Sequence, residues 1–459
     1  MEIYPVMPED RLVVVADVLK EPLKDSCWGI AREGQKCRGF PAGENQTCRV
    51  AIYIEEGRIS NVQEVPGGQL SLETAASKGS SSPWTGFTLP EGWHVQEIPP
   101  DQLLVPGFVD CHVHLVLDGV QGFKNFTGPV SDEIIEERLG EALKAGVVAL
   151  RDGSDRYNTG LQARQLSLIH NLAGMAVFSI SSNSQRSLKD AFLPLVTATG
   201  RALYRQGHYG SFLGIKGLND MGEAQEKISL IAQSGSDQLK VCLSGLVSYA
   251  NFGQTGPVAF SLEEMKTIVQ LAGEYNLPVM VHASSDEAVG IAAEAGAHSV
   301  EHGYFVSPET LYLMAEKNVA WIPTVAPVAG TLKEIREKGV QNEQVREDVI
   351  EKTIERHLEM INLAHGTGVT LGLGTDGGSP GVDWREGYLQ EMSFYARAGL
   401  SPADILTIAS ENGAGILGLS GEMGTLEPGK KPYWLCLDKS ILDNIDNYKG
   451  PGAVFCPCF

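Results

Sequence analysis

Two histidines two residues apart, His112 and His114, close an apolar run in the stretch LLVPGFVDCHVHL. Side chains alternate across a strand, so residues i and i+2 project to the same side. The pair therefore reads either as two ligands for a divalent metal or as polar residues ending a core strand, and the H-x-H spacing alone does not decide. The rest of the chain supplies further candidates. Lys240 lies in QLKVCLSG, His282 in VMVHAS, His302 in SVEHG and Asp376 in LGLGTD, each within or at the end of a short apolar run. A lone strand-end histidine reads as a satisfied polar residue. Four of them at the ends of three runs, with an aspartate ending a fourth, read as one metal centre. Imidazole and carboxylate suit zinc and similar divalent ions.

Such a centre needs a scaffold that gathers strand ends. From Val105 onward eight apolar runs alternate with helical patterns: GFVDCHVH, VVALRDG, AVFSISS, QLKVCLS, PVMVHAS, SVEHG, AWIPTV and VTLGLGTD. SLEE from Ser261 is a capping box. SPET from Ser307 and SPAD from Ser401 put serine at the cap and proline at the first helical position. Strands alternating with helices predict parallel β/α units. Eight of them over roughly 300 residues predict a (β/α)₈ TIM barrel, whose active sites lie at the carboxyl ends of the strands. No G-x-G-x-x-G follows an early strand, which counts against a dinucleotide-binding open sheet.

The flanks read differently. RLVVVADVL and RVAIYIEEGRISNVQEV are strand-like, the second with a turn at Glu56-Gly57, and strand texture returns in GTLEPGKKPYWLCLDKSIL. The expected α/β architecture is a catalytic barrel over 105–420 with a small accessory β-sandwich domain built from both chain ends, 1–104 plus 421–459. Two polar, Gly- and Ser-containing stretches, 24–48 and 67–92, read as insertions of low order.

With 459 residues, 43% hydrophobic and 20% charged, the composition is that of a soluble globular protein with a large core. A formal net charge of −21 argues against a nucleic-acid partner, whose phosphates would be repelled. No run reaches the roughly 18 apolar residues of a membrane span. The opening MEIYPVMPEDRLVVV lacks a basic segment followed by an apolar one, so a cytoplasmic protein is expected. Cys27, Cys37, Cys48, Cys456 and Cys458 do not follow a C-x-x-C zinc spacing and read as reduced thiols.

The ordered set PGFVDCHVH, LKVCLSG, VHA, SVEHG, GTD and GTLEPGK resembles the amidohydrolase superfamily of metal-dependent hydrolases, from about Val50 to about Lys431. Within it the chain is similar to the imidazolonepropionase-like and prolidase-like dipeptidase group with a carboxylated lysine. The resemblance implies two divalent metal ions. One would be held by His112, His114 and Asp376, the other by His282 and His302. Lys240 would bridge them after taking up carbon dioxide as a carbamate, because a free ammonium between two cations would be repelled. Zinc is the expected metal, with manganese, iron or cobalt as alternatives. Imidazolonepropionase proper uses one metal and lacks this lysine. The implied reaction is hydrolysis of a C–N amide bond by a hydroxide bridging the metals, which lower the pKa of bound water from about 15.7 toward about 7. Asp376 would carry the proton from that water to the leaving nitrogen.

The expected substrate is a small molecule, a dipeptide or N-acyl amino acid, with a cyclic amide or imidazolone-like ring as the alternative. His208, in YRQGHYG, and Tyr249, in SGLVSYANFG, are candidate substrate contacts. Arg205 and Arg385 are candidates for pairing a substrate carboxylate, since a guanidinium offers a bidentate fork. Arg151 and Asp152 are expected to shape the barrel mouth, and His170, His298, His357 and His365 to be structural or exposed. A homo-oligomer is expected from the relatives. Deaminases of this kind usually keep a glutamate on strand five, and the lysine stands against that chemistry. A non-catalytic binding or assembly protein of the same fold would have lost ligands, and none of the six is missing.

Overall fold

Apolar alternation near the start of the chain builds a first sheet. The protein is described by a computed structural model covering residues 1–6, 11–19, 47–64, 93–118, 128–178, 192–214, 216–338 and 344–457. Its first strands are β1 (Glu2–Val6), β2 (Leu12–Leu19), β3 (Thr47–Glu55), β4 (Arg58–Glu64), β5 (His94–Glu97) and β6 (Gln102–Pro106). Four of them form a sheet in the order β4-β3-β2-β5. The β3–β4 hairpin turns as expected at Glu56 and Gly57, with φ of 54° and 68°; two positive φ values give the twist that a two-residue hairpin loop needs.

From Phe108 the chain switches to β/α units. β7 (Phe108–Val113), β8 (Val147–Asp152) and β9 (Leu195–Ala198) pair in parallel. So do β10 (Leu239–Cys242), β11 (Val279–Ala283), β12 (Ser299–His302) and β13 (Ala320–Ile322). Every residue of β7, β8 and β10 to β13 is buried, as in a parallel sheet covered on both faces. The helices are α1 (Asp132–Lys144), α2 (Thr159–Phe178), α3 (Ala224–Gln233), α4 (Leu262–Gly273), α5 (Asp286–Glu294), α6 (Pro308–Lys317), α7 (Ala326–Lys338), α8 (Glu347–Thr367), α9 (Glu386–Arg397) and α10 (Pro402–Thr407). Their starts follow the local chemistry. Ser261 and Glu264 form a reciprocal capping box at α4, and Ser307 and Ser401 cap α6 and α10 with proline in the first turn. Each cap is worth about 1 kcal/mol.

Two of the expected strands are corrected. In AVFSISS, Ala176–Phe178 continue α2, and 179–182 lie outside the described residues; the third parallel strand is Leu195–Ala198. No Pro or paired turn residues interrupt LIHNLAGMAVF, and a short apolar run does not by itself separate strand from helix. VTLGLGTD forms no regular strand. Its backbone still bonds to both neighbours: Trp321 N–H donates to Thr370 O, Gly372 N–H to Trp321 O, Cys111 N–H to Leu373 O and His114 N–H to Gly377 O. A Cβ at Gly374 would stand 2.4 Å from Ile322 Cγ2 and 3.0 Å from His112 Cβ. This close approach explains the glycines, and glycine weakens a ladder. Leu203 makes a similar isolated bridge to Val241 between β9 and β10. Among the described residues the assigned strands therefore fall into two parallel sheets, joined by isolated bridges, and no closed eight-stranded ring is assigned.

After α10 come β14 (Trp434–Asp438) and β15 (Ala453–Pro457). β14 pairs antiparallel with β6 and β15, and β15 pairs parallel with β1. Both ends of the chain thus share one sheet, ordered β1-β15-β14-β6. Val14, Ile52, Leu104, Trp434 and Phe455 from the two flanking sheets belong to one buried apolar cluster, and a larger cluster surrounds the β/α units. The stretches 24–48 and 67–92 fall almost entirely outside the described residues, as do Cys27, Cys37 and Cys458. Cys111, Cys242 and Cys436 are free and buried. Among the described residues no helix is long and apolar enough to cross a membrane.

Candidate metal centre

The parallel strands bring all six predicted ligands to one point. His112 and His114 come from β7, Lys240 from β10, His282 from β11 and His302 from the last position of β12. Asp376 follows the glycine segment. Each is at most 9% exposed. One ligand atom from each of His112, His114 and Asp376 lies within 4.8 Å of the others. Asp376 Oδ1 stands 3.4 Å from His114 Nε2 and 3.8 Å from His112 Nε2. Lys240 Nζ is 3.5 Å from His112 Nε2. The His302 ring centroid is 4.5 Å from that of His282 and 5.1 Å from that of His112. His302 and Asp376 adopt φ of 72° and 54°, a left-handed conformation that is costly for non-glycine residues and collects at functional sites.

Hydrogen-bond partners decide which ring nitrogen faces the centre. His114 Nδ1 lies 3.0 Å from Ser154 O. A carbonyl only accepts, so Nδ1 carries the proton and Nε2 is left with its lone pair. His302 Nδ1 lies 2.7 Å from Thr324 Oγ1, whose hydroxyl donates to Pro323 O; Thr324 must therefore accept from His302. His112 Nδ1 lies 2.7 Å from Glu301 Oε2, with the same result. His282 Nε2 and Asp376 Oδ1 are buried without a hydrogen-bond partner. Orphaned buried polar atoms cost about 1–3 kcal/mol each. Convergent unpaired acceptors are what a bound cation satisfies, so the residues fit the metals that the resemblance implies.

Burial also sets the protonation states. It pushes His114 and His282 down to about 3, and His112 and His302 well below the ordinary imidazole range. Neutral imidazole is the ligating form. Burial lowers Lys240, which favours the free amine. It raises Asp376 to about 7, against the pull of Lys240. Asp110, two residues before His112, accepts the N–H of His112 and both the N–H and the hydroxyl of Thr375, tying β7 to the Asp376 segment. A Cβ on Gly153 would lie 2.8 Å from His112 Nε2 and 2.9 Å from His114 Cε1.

A cavity of about 130 Å³ opens at the centre, lined by Tyr209, Leu213, Leu246, Tyr249, Tyr304 and Pro380 among others. The sequence profile of the amidohydrolase family matches residues 103–454. The chain belongs to the amidohydrolase family. It is a hydrolase of the class that acts on carbon–nitrogen bonds. This amidohydrolase is 26% identical to ochratoxinase of Aspergillus niger over 371 residues, 77% of this chain and 73% of the relative. It is 27% identical to imidazolonepropionase of Sphingopyxis alaskensis over 340 residues, 72% and 76% of the two chains. A crystal structure of a Xaa-Pro dipeptidase with bound methionine in its active site superposes with a TM-score of 0.70 at 18% identity, over 97% of this chain and 98% of the other. The crystal structure of A. niger ochratoxinase gives 0.66 at 20% identity, over 97% and 94%. These structural likenesses show a shared fold.

The remaining expected contacts of this amidohydrolase divide. Tyr249 lines the cleft and its hydroxyl accepts from Thr331. His208 is not among the lining residues. Its neighbour Tyr209 is, with its ring 4.6 Å from that of His282. Arg205 is engaged by Ala259 O and Glu264, and Arg385 by Lys449 O, so neither reaches the cleft. Asp152 is buried and accepts the N–H groups of Leu115 and Ser154, and it is not among the residues lining the cleft. Arg151 does not shape the mouth; it is fully buried beneath His112. Its guanidinium is satisfied there by Cys111 O, Gln238, Ser299 and Glu301, and a buried cation needs such partners. Asp110, Gly153, Tyr209 and Glu301 were missed from sequence. The one signal was adjacency: each neighbours a singled-out residue or shares its strand.

Proposed function

We propose that this amidohydrolase is a binuclear metal-dependent hydrolase that cleaves the C–N amide bond of a dipeptide or N-acyl amino acid. The observation that carries the reading is the convergence of six buried residues with two orphaned ligand atoms, His282 Nε2 and Asp376 Oδ1. His112, His114 and Asp376 would hold one divalent ion and His282 and His302 the other, with Lys240 as the bridging carbamate. Zinc is the first choice, and manganese, iron or cobalt suit the same donors. When bound, the two ions would act as Lewis acids and lower the pKa of a water between them from about 15.7 toward about 7.

The chain's own residues supply the rest. The neutral, desolvated amine of Lys240 would bond to the carbon of carbon dioxide and release one proton, leaving an anionic carbamate. Asp376 keeps Oδ1 free toward the centre. Its carboxylate would take a proton from water and return it to the leaving nitrogen. Leu213, Leu246 and Pro380, with the phenol rings of Tyr209, Tyr249 and Tyr304, favour an apolar or aromatic group on the substrate. The likeness to imidazolonepropionase supports a second reading, opening of a cyclic amide, which would use the same residues.

The proposal includes a (β/α)₈ ring over 105–420, supported by the backbone bonds across Leu203 and 370–377, and an accessory β-sandwich from 1–104 plus 421–459, supported by the shared apolar cluster. It also includes a cytoplasmic homo-oligomer that binds no nucleic acid, in keeping with the net charge of −21. The test is a screen of dipeptides, N-acyl amino acids and cyclic amides with zinc- or manganese-loaded protein, alongside metal analysis. A folded sample that takes up no divalent metal and carries no carbon dioxide mass on Lys240 overturns the reading.

A further inference from the structure

Beneath the six residues lies a buried ion pair for which hydrolysis assigns no role. Arg151 and Glu301 are both fully buried, with Arg151 Nη2 donating to Glu301 Oε1 at 2.9 Å. We propose that Arg151 and Glu301 are positioning residues that set the tautomer and placement of His112, and through it the occupancy of the His112–His114–Asp376 half of the centre. The second part rests on the binuclear reading.

His112 is located twice by this pair. Its ring meets Glu301 Oε2 at 2.7 Å, and a carboxylate only accepts, so the proton stays on Nδ1 and Nε2 turns to the centre. The other carboxylate oxygen takes Arg151 and the Ser299 hydroxyl, the latter at 2.7 Å, which stops the carboxylate from swinging. The same guanidinium donates from Nε to Cys111 O at 2.6 Å, one residue before His112 on β7. Its Nη1 reaches Gln238 Oε1 and Ser299 Oγ, both at 3.0 Å. One side chain from β8 thus braces β7, β12 and the approach to β10. The other rings do not lean on it. His114 is held by Ser154 O and His302 by Thr324. A carboxylate partner also makes an imidazole a stronger ligand, and losing such a partner lowers metal affinity by about 10–100-fold. The asymmetry makes the two halves of the centre separable.

The test is the double variant Arg151→Met/Glu301→Leu, which removes both charges together and leaves no orphaned ion. Full-length protein labelled with ¹⁵N-histidine, free of metal, reports the tautomer of each ring by NMR, and metal analysis of reloaded protein reports ions per chain. The expected result is loss of the fixed Nδ1–H form at His112 alone, with metal content falling from two ions per chain to about one. If that variant does not fold, Arg151→Met/Glu301→Gln, whose side-chain amide offers His112 Nδ1 a donor as well as an acceptor, is read the same way, with a mixed His112 tautomer expected. An unchanged His112 tautomer, or loss of both ions together, overturns the proposal. A wild-type chain that binds fewer than two ions sinks the binuclear reading instead, and the tautomer measurement then decides the role of Arg151 and Glu301 alone.

Discussion

Lys240 Nζ stands 3.5 Å from Nε2 of His112, and both side chains are fully buried. A lysine placed there is largely desolvated and faces an acceptor that metal binding would claim. Lys240→Ala should lower turnover by about 10²–10³-fold, the scale for losing a group that balances charge at a reaction centre. A small carboxylate such as acetate should restore part of it. Intact mass measured under carbon dioxide should show one added carbon dioxide on the wild type and none on the variant; wild-type activity without that mass would count against a carbamate.

Asp376 is predicted to matter more for proton transfer than for holding metal. Asp376→Asn keeps the shape and an acceptor oxygen but takes up no proton. Turnover should fall by about 10²–10⁴-fold with most of the metal retained. Turnover near the wild-type level in a metal-replete variant refutes the proton-carrier role.

Gly153 leaves no room for a methyl group between the two β7 histidines. Its backbone is not in the left-handed region, so alanine is allowed conformationally. Gly153→Ala should push His112 and His114 apart, at a strain of about 1–3 kcal/mol, and leave a folded chain with weakened metal uptake. Circular dichroism and metal titration read the two effects separately. Undiminished uptake would show that the gap is not needed.

Leu246 projects into the cleft mouth and is 45% exposed. Covering it with an apolar substrate group is worth roughly 1–2 kcal/mol. Leu246→Ala should therefore raise KM for N-acyl amino acids with large apolar groups by about 5–30-fold and leave kcat nearly unchanged. Equal KM values for small and large acyl groups on the wild type would remove the basis for an apolar subsite.

Two buried groups outside the six candidate ligands should set opposite pH limits on stability. Glu391 accepts the Val325 and Ala326 N–H groups, and burial raises its carboxyl from 4.5 to about 8. The folded state holds that proton more tightly, so the contribution is full below 4.5 and is lost as pH rises through about 8. His357, packed between Tyr304 and Trp321, is lowered from 6.5 to about 4 by burial. Its contribution is full above 6.5 and is lost as pH falls through about 4. Glu391→Gln, which mimics the protonated acid, should flatten the alkaline side of a plot of Tm against pH and leave the acid side as it was. An alkaline decline of unchanged steepness would assign that limb to other groups.

The six candidate ligands were legible because each one ended or interrupted an apolar run, and strand ends are where a parallel β/α fold collects polar chemistry. The caps at Ser261, Ser307 and Ser401 were legible because capping is local. The failures were non-local. AVFSISS lacked a neighbour that would mark it as helix. VTLGLGTD read as a ladder, but its glycines serve close approach to His112 and Ile322. Arg205 looked free for a substrate because Glu264, its partner, lies in another element. Arg151 looked like a rim residue because nothing in ALRDGSD reveals that Glu301 waits beneath β7. Tyr209 was passed over for His208 because histidine carries the stronger chemical expectation, while the backbone decides which of two neighbours faces inward.

Asp376 N–H donates to His112 O at 2.7 Å, so residues separated by more than half the chain share a backbone bond. On a ribosome adding about 5–20 residues per second, roughly 10–50 s pass between the emergence of His112 and that of Asp376. For that interval the nascent chain carries a histidine pair with no carboxylate to complete it. On the metal-dependent reading, competence to hold an ion at His112 and His114 would therefore arrive late, with the Asp376 segment, and a shortened product ending before Gly374 would lack the carboxylate of that site.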